Sequence, residues 1–203
     1  MKTTINHYST NAEHYYSLYQ SISASSVHGY LEQALANTQP TTALDVGAGS
    51  GRDANWLAAK GWQVTATEPA EALLKLAKQH SNEKVSWCNA ALPALEHLPK
   101  AQQKFELILL SAVWMHLPSE ERPAAIKRLS ELLSNTGRMY ISLRFGPSDP
   151  ERPMYPVSYE QLQALAADNG LTARNLNPVP SKDGLQRSDV EWVTVELLKT
   201  GKK

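Results

Sequence analysis

Three glycines in five positions, Gly47, Gly49 and Gly51, follow directly on Asp45 in the stretch ALDVGAGSGRD. Glycine backbone admits left-handed turns and close approach, and a chain turning through it into a helix presents free N–H groups to a ligand. A carboxylate at the edge of such a loop suits an amine or hydroxyl partner. A second acid, Glu68, lies 21 residues after Gly47 in the stretch ATEPA, where it can accept from a pair of sugar hydroxyls. The spacing separates this loop from the dinucleotide fingerprint G-x-G-x-x-G, because counting from Gly47 the third glycine would fall at position 52, which is Arg52. Taken alone, a glycine cluster after a strand is equally a tight turn.

The elements that must hold these residues alternate in type. TALDV reads as a short buried strand, and Ala54, Leu57 and Ala58 then recur at helical spacing until Gly61. WQVTAT is a second strand, AEALLKLAKQH a helix with Leu73, Leu76 and Ala77 on one face, and KVSWC a third strand. Trp62 and Trp87 read as core or boundary residues. FELILLS is apolar throughout, as a strand covered on both faces should be. A helix with Ile126, Leu129, Leu132 and Leu133 inward and Gly137 beyond its end leads to RMYISLR, the fifth strand. Ser158 to Gln161 makes a capping box for a helix that Gly170 ends. VEWVTVELLK alternates and should be antiparallel or at an edge. Such alternation predicts an α/β fold with crossover helices. FGPSDPERPMYP, with four prolines in twelve residues, is a loop directly after the fifth strand and a candidate rim or lid.

The ordered set LDVGAGSGRD, ATEPA, FELILLSAVWMHL and NTGRMYISL resembles the class I S-adenosylmethionine-dependent methyltransferases, over most of residues 40 to 145. The N-terminal pattern Y-x-x-x-A-x-x-Y is similar to the cap segment of small bacterial members. The resemblance implies a Rossmann-like, seven-stranded, mostly parallel sheet with an antiparallel last strand and helices on both faces. It implies one domain over 1–203, with residues 1–39 a helical cap and 40–203 the core. It also implies S-adenosyl-L-methionine as cofactor. Gly47, Ala48, Gly49 and Gly51 would approach its methionine end, and Asp45 would hold that loop or meet the ammonium group. Glu68, with Pro69 and Ala70 beside it, would take the ribose. Asn89 occupies the place where the family often has Asp facing the adenine amino group, and Ala90 would offer a backbone N–H to the ring. Ser111 and Val113 would line the pocket near the sulfonium.

Catalytic residues are not fixed by these motifs, because methyl transfer needs alignment first and a base only when the acceptor keeps its proton until attack. His116 and Arg144 are the candidates: His116 as a base or as a cap of the next helix, Arg144 as a partner for a carboxylate or phosphate or as one half of an ion pair with Asp149, Glu151 or Asp189. Arg152 reads more readily as an ion-paired residue, and Tyr155 and Arg187 are further candidates near the same edge. Tyr8, Tyr15 and Tyr19 read as packing aromatics of a helix.

Composition limits the partners. Twenty basic residues balance twenty acidic ones, which leaves no basic footprint for nucleic acid. The single cysteine, Cys88, permits no internal disulfide, and the six histidines show no metal-ligand spacing. No apolar run reaches the length of a membrane span. The expectation is a cytoplasmic methyltransferase acting at O, N or S of a small-molecule acceptor, anionic ones included, without metal, nucleic acid or membrane. The competing readings are a module that binds S-adenosylmethionine without turnover and a nicotinamide-dependent oxidoreductase.

Overall fold

The computed structural model describes residues 2–36, 38–98 and 104–201. Met1, Lys202 and Lys203, the ends of the expected domain, lie outside the described residues. Four helices come first: α1 (Lys2–Thr10), α2 (Ala12–Gln20), α3 (Ala24–Val27) and α4 (Gly29–Leu35). Strands and helices then alternate through β1 (Thr42–Val46), α5 (Arg52–Ala59), β2 (Gln63–Thr67), α6 (Glu71–Gln79), β3 (Val85–Cys88) and β4 (Phe105–Leu110). A 3-10 turn (Trp114–His116), α7 (Arg122–Leu132), β5 (Leu133–Phe145), α8 (Tyr159–Asp168), β6 (Leu171–Asn175), β7 (Ser181–Lys182) and β8 (Glu191–Lys199) complete the chain.

The sheet order is β3-β2-β1-β4-β5-β8-β6, with the two-residue β7 paired to β8. Strands β1 to β5 run parallel, and β8 lies antiparallel between β5 and β6. The expected mostly parallel sheet with an antiparallel last strand is therefore present, with eight strands instead of seven. The eighth, β7, is too short to leave a periodic signal in sequence.

Alternation along β1 and β4 explains why their apolar runs are continuous. Leu44, Val46, Ile108 and Leu110 face one layer, where they meet Ile126 and Leu129 of α7 and Leu162 of α8. Ala43, Leu107 and Leu109 face the other, against Leu31 of α4 and Leu57 of α5. Asp45 shares parity with Ala43, so it belongs to the α4 and α5 side.

Two element boundaries differ from the sequence reading. Leu133, expected on the inner face of α7, opens β5, and Gly137, expected beyond the helix, lies inside that strand. A Cβ at Gly137 would come 2.8 Å from the carbonyl oxygen of Phe105, so close strand approach, not helix termination, requires the glycine. The tyrosine helix is two helices meeting at Asn11, although the bonds from Asn11 N–H to His7 and from Tyr15 N–H to Asn11 carry the turn through. Among the described residues no helix is long and apolar enough to cross a membrane.

One buried polar knot joins β5 to β8. Glu196 is buried and accepts from the Tyr140 hydroxyl at 2.9 Å and from Arg138 at 3.0 Å, while Arg174 of β6 lies 2.9 Å from its other oxygen. Tyr140→Phe removes one donor to a buried carboxylate and should lower stability by ~1.5–3 kcal/mol. Urea unfolding should show a lower midpoint at unchanged slope, and an unmoved midpoint would place no weight on that hydroxyl.

Candidate functional site

The sheet's strand order reverses between β1 and β4, and the chain leaves both strands at their carboxyl ends beside a cavity of about 730 Å³. That is the position at which open α/β sheets bind ligands, and the volume suits a small organic molecule. From β1 come Asp45, Gly47, Ala48 and Gly49; from the end of β2, Glu68 and Pro69; from beyond β4, Ser111, Ala112 and Val113. The turn is tightly specified. Gly47 has φ +66, and a Cβ there would lie 2.7 Å from Cγ2 of Val113. Ala112 also has positive φ (59), a strained conformation held by its N–H donating to Ser142 Oγ at 2.7 Å.

The acids of this corner are deeply buried. Glu68 accepts from the Gly49 N–H at 2.9 Å and the Ala70 N–H at 2.8 Å, so it fastens the glycine loop to the end of β2. Burial outweighs those two bonds and raises its carboxyl from the usual 4.5 to about 7. Asp45 is raised well above the ordinary carboxylate range by burial, then by the charges of Asp53 and Glu68. Its Oδ2 is buried without a hydrogen-bond partner. Burial works against the charge of Asp53 also, but His28 at 3.1 Å and the Arg52 fork at 2.7 and 2.9 Å hold that carboxyl far below its usual value. The Asp45 oxygen is thus an unpartnered polar atom of the corner.

A second set of charges lines the same cavity. Arg152 pairs with Asp149 at 2.8 Å, as its place in the sequence suggested. Arg187 forks onto Asp183 at 2.7 and 2.8 Å, a partner four residues away and not Asp189. Arg144 is different. It is buried, its Nη1 donates to the Pro147 carbonyl at 2.8 Å, and its Nε has no hydrogen-bond partner. Among the described residues no carboxylate lies within ion-pair distance of it, and burial with Arg187 and Arg152 nearby lowers its pKa. None of the three acids weighed as its partner takes that role.

Several candidate residues are placed elsewhere. Gly51, Asn89 and Ala90 do not line this cavity. Gly51 caps α5 at φ +78 with Trp87 so close that a Cβ would meet it at 2.9 Å, so its requirement is packing. Asn89 is exposed beyond β3, and Ala90 is buried in the core. Tyr155 is exposed and its N–H donates to the Met115 carbonyl. His116 caps no helix: it closes the 3-10 turn, and its ring lies between the Tyr8 hydroxyl and the Pro153 carbonyl. Tyr8 and Tyr19 line the cavity, as do His28 and Tyr30 of the following helices, none of which spacing alone marked as site residues. Among the described residues no three His, Cys, Asp or Glu side chains gather as a metal site.

The raised carboxyl of Glu68 has a consequence for stability. Its folded pKa exceeds the unfolded value, so the protonated form favours the fold at low pH, and that contribution is lost as pH rises from about 4.5 through about 7. Glu68→Gln removes the titration, at a constant cost from one unpaired backbone N–H. Wild-type stability relative to this variant should fall between pH 5 and 8 in the ligand-free protein, and parallel curves in urea unfolding would contradict the raised pKa.

Residues 43–137 match the methyltransferase-domain family. A ubiquinone biosynthesis O-methyltransferase of Coxiella burnetii is 30% identical over 113 residues, 56% of this chain and 47% of that protein. A probable S-adenosyl-L-methionine-dependent methyltransferase, TehB, of Haemophilus influenzae is 27% identical over 136 residues, 66% of this chain and 46% of the relative. The chain spans about half the length of these curated relatives. The crystal structure of the Burkholderia thailandensis 1,6-didemethyltoxoflavin-N1-methyltransferase, bound to 1,6-didemethyltoxoflavin and S-adenosylhomocysteine, superposes with TM-score 0.71 at 18% identity, over 98% of this chain and 88% of that one. In its glycine turn, strand order and matched segment the chain is similar to the class I S-adenosylmethionine-dependent methyltransferases, and the solved structure shares its fold.

Proposed function

We propose that the protein is a cytoplasmic S-adenosylmethionine-dependent methyltransferase that moves a methyl group to O, N or S of a small molecule. The observation that carries this reading is the corner itself. A glycine turn without room for a Cβ at Gly47, an orphaned buried Asp45 oxygen and Glu68 at the end of the neighbouring strand share one cavity. These residues fit the cofactor. Asp45 and the loop from Gly47 to Gly49 would hold its amino-acid end, and Glu68 would accept from the ribose hydroxyls when ionised. Ser111 and Val113 would stand beside the reacting centre. Asn89, beyond β3, is left as the adenine contact only if the ring reaches outside the cavity described above. When bound, the cofactor supplies a methyl carbon activated by positive sulfur. The chain's own task is then to align an acceptor and exclude water, worth as much as ~7–11 kcal/mol.

The acceptor end is built for negative charge. Arg152 and Arg187 each spend charge on a carboxylate, and Arg144 does not. An acceptor bearing a carboxylate or phosphate would satisfy its unpartnered Nε, and a planar guanidinium serves that geometry better than lysine. The helices ahead of β1 act in this reading as a cap over the acceptor. The competing module that binds cofactor without turnover would have no use for a second, cationic end to the cavity. An oxidoreductase is disfavoured by the glycine spacing.

The test is transfer of a labelled methyl group from the donor into a metabolite extract. One or more labelled small-molecule products are expected, and a chain that binds the donor yet labels nothing would favour the binding module. With the acceptor so identified, Arg144→Lys should raise its KM or lower kcat by an amount worth ~2–5 kcal/mol, at near-normal cofactor affinity. Loss of cofactor binding in that variant, or much earlier melting, would make Arg144 structural.

A further inference from the structure

Tyr8, Tyr19 and His116 line the cavity without a part in holding the cofactor, and they form a hydrogen-bonded chain whose direction is fixed at its ends. Nδ1 of His116 lies 3.2 Å from the Pro153 carbonyl oxygen. A carbonyl can only accept, so Nδ1 carries the hydrogen. Burial, helped by the charges of Arg152 and Arg144 and opposed by the Pro153 bond and Asp149, lowers the pKa of this ring to about 4. The ring is therefore neutral, and Nε2 offers a lone pair. The Tyr8 hydroxyl, 3.3 Å from Nε2, is left to donate to it. At the Tyr8 oxygen, Arg152 Nη1 can only donate, at 3.1 Å, and the Tyr19 hydroxyl donates at 3.3 Å. Every proton points one way, from Tyr19 through Tyr8 to His116.

The chain also stands in the right place. The Tyr19 ring covers the glycine loop, where a Cβ on Gly49 would lie 3.6 Å from Cδ2 of Tyr19. Arg152 and His116 stand at the other end, with Arg144 close enough to influence the histidine. Among the described residues nothing donates to the Tyr19 oxygen, which is left open to an incoming proton.

We propose that this chain is a one-way proton relay for the acceptor, a role that rests on the methyltransferase reading. As the acceptor's oxygen or nitrogen bonds to the methyl carbon, the carbon–sulfur bond breaks and the acceptor's own O–H or N–H bond is lost. That proton passes to the Tyr19 oxygen, the Tyr19 proton to Tyr8, and the Tyr8 proton to Nε2 of His116. The thioether is left neutral and the positive charge ends on the imidazolium. Burial, and after it the charges of Arg152 and Arg144, disfavour that charge in the free protein, and an anionic acceptor on Arg144 offsets the arginine part of that cost. The relay selects acceptors that keep their proton until attack, such as alcohols, phenols and N–H groups, over thioethers and tertiary amines. The 3.3 Å bonds are long for hydroxyls and are of the kind that tighten in the loaded site.

Nitrogen-15 NMR of the histidine rings in the full chain tests the direction without an acceptor. At pH 7 the His116 resonances, assigned by their loss in His116→Gln, should show a protonated Nδ1 and a bare Nε2. Tyr8→Phe should keep that tautomer and shift the Nε2 resonance as its donor disappears, with S-adenosylhomocysteine affinity near wild type. With the acceptor found by methyl labelling, Tyr8→Phe and Tyr19→Phe should each lower kcat about 10²-fold or more. A protonated Nε2 in the wild type, an Nε2 resonance unmoved by Tyr8→Phe, or unchanged kcat overturns the relay. Calorimetry with S-adenosylhomocysteine on the same samples separates the two ideas: binding with the wrong tautomer removes the relay alone, whereas no binding removes the methyltransferase reading beneath it.

Discussion

The turn that leaves β1 is wedged between two side chains. Val113 stands where a Cβ of Gly47 would be, and Trp87 stands where a Cβ of Gly51 would be. The chain passes this gap only as glycine in left-handed conformation, and the rest of the site follows from that passage. It brings the Gly49 N–H onto Glu68, starts α5 at Arg52 and sets Asp53 in the first turn of that helix. A side chain at either glycine would press on Val113 or Trp87 and strain the left-handed backbone that brings the Gly49 N–H to Glu68.

Gathering Asp45, Asp53 and Glu68 out of water is costly unless each is answered separately. Asp53 is answered by Arg52 and His28, and because His28 belongs to the junction of α3 and α4, the N-terminal helices are tied to the corner they cover. Glu68 is answered by two backbone N–H groups and stays near the edge of ionisation at neutral pH. Asp45 is only partly answered. Perturbed carboxyls cluster at functional sites, and in the proposed reading the cofactor's hydroxyls and ammonium group provide what the protein withholds. The arginines of the cavity invert the arrangement: three guanidiniums and two ion-paired carboxylates leave Arg144 as the unanswered charge. The cavity therefore carries buried acids, the unanswered Arg144 and the tyrosine chain in one lining.

Local signals carried much of this into the sequence. The glycine spacing, the acid closing the second strand, the doubly covered fourth strand and the Ser158 cap each depend on neighbours a few residues away, and each is found where expected. What could not be read depends on distant partners. Tyr8 looks like any packing aromatic until His116 and Arg152 arrive from 108 and 144 residues away. Arg187 finds Asp183 because a loop folds back beneath Trp192, whose ring N–H donates to the same carboxylate. Leu133 continues the apolar spacing of α7 but is taken by β5, whose pairing with Phe105 outweighs another helical residue. Asn89 follows a strand as a ligand residue should, and its exposed side chain lies outside the cavity lining.

The most direct test of the corner is calorimetric titration with S-adenosylhomocysteine across pH 5 to 9, set beside reduced nicotinamide cofactor. In the proposed reading Glu68 accepts from the ribose hydroxyls, and the ionised carboxylate is the stronger acceptor, so affinity for the thioether should rise through pH 7 as Glu68 loses its proton, and the nicotinamide compound should not bind. Binding that is absent, flat across this range, or stronger for the nicotinamide cofactor would contradict the account.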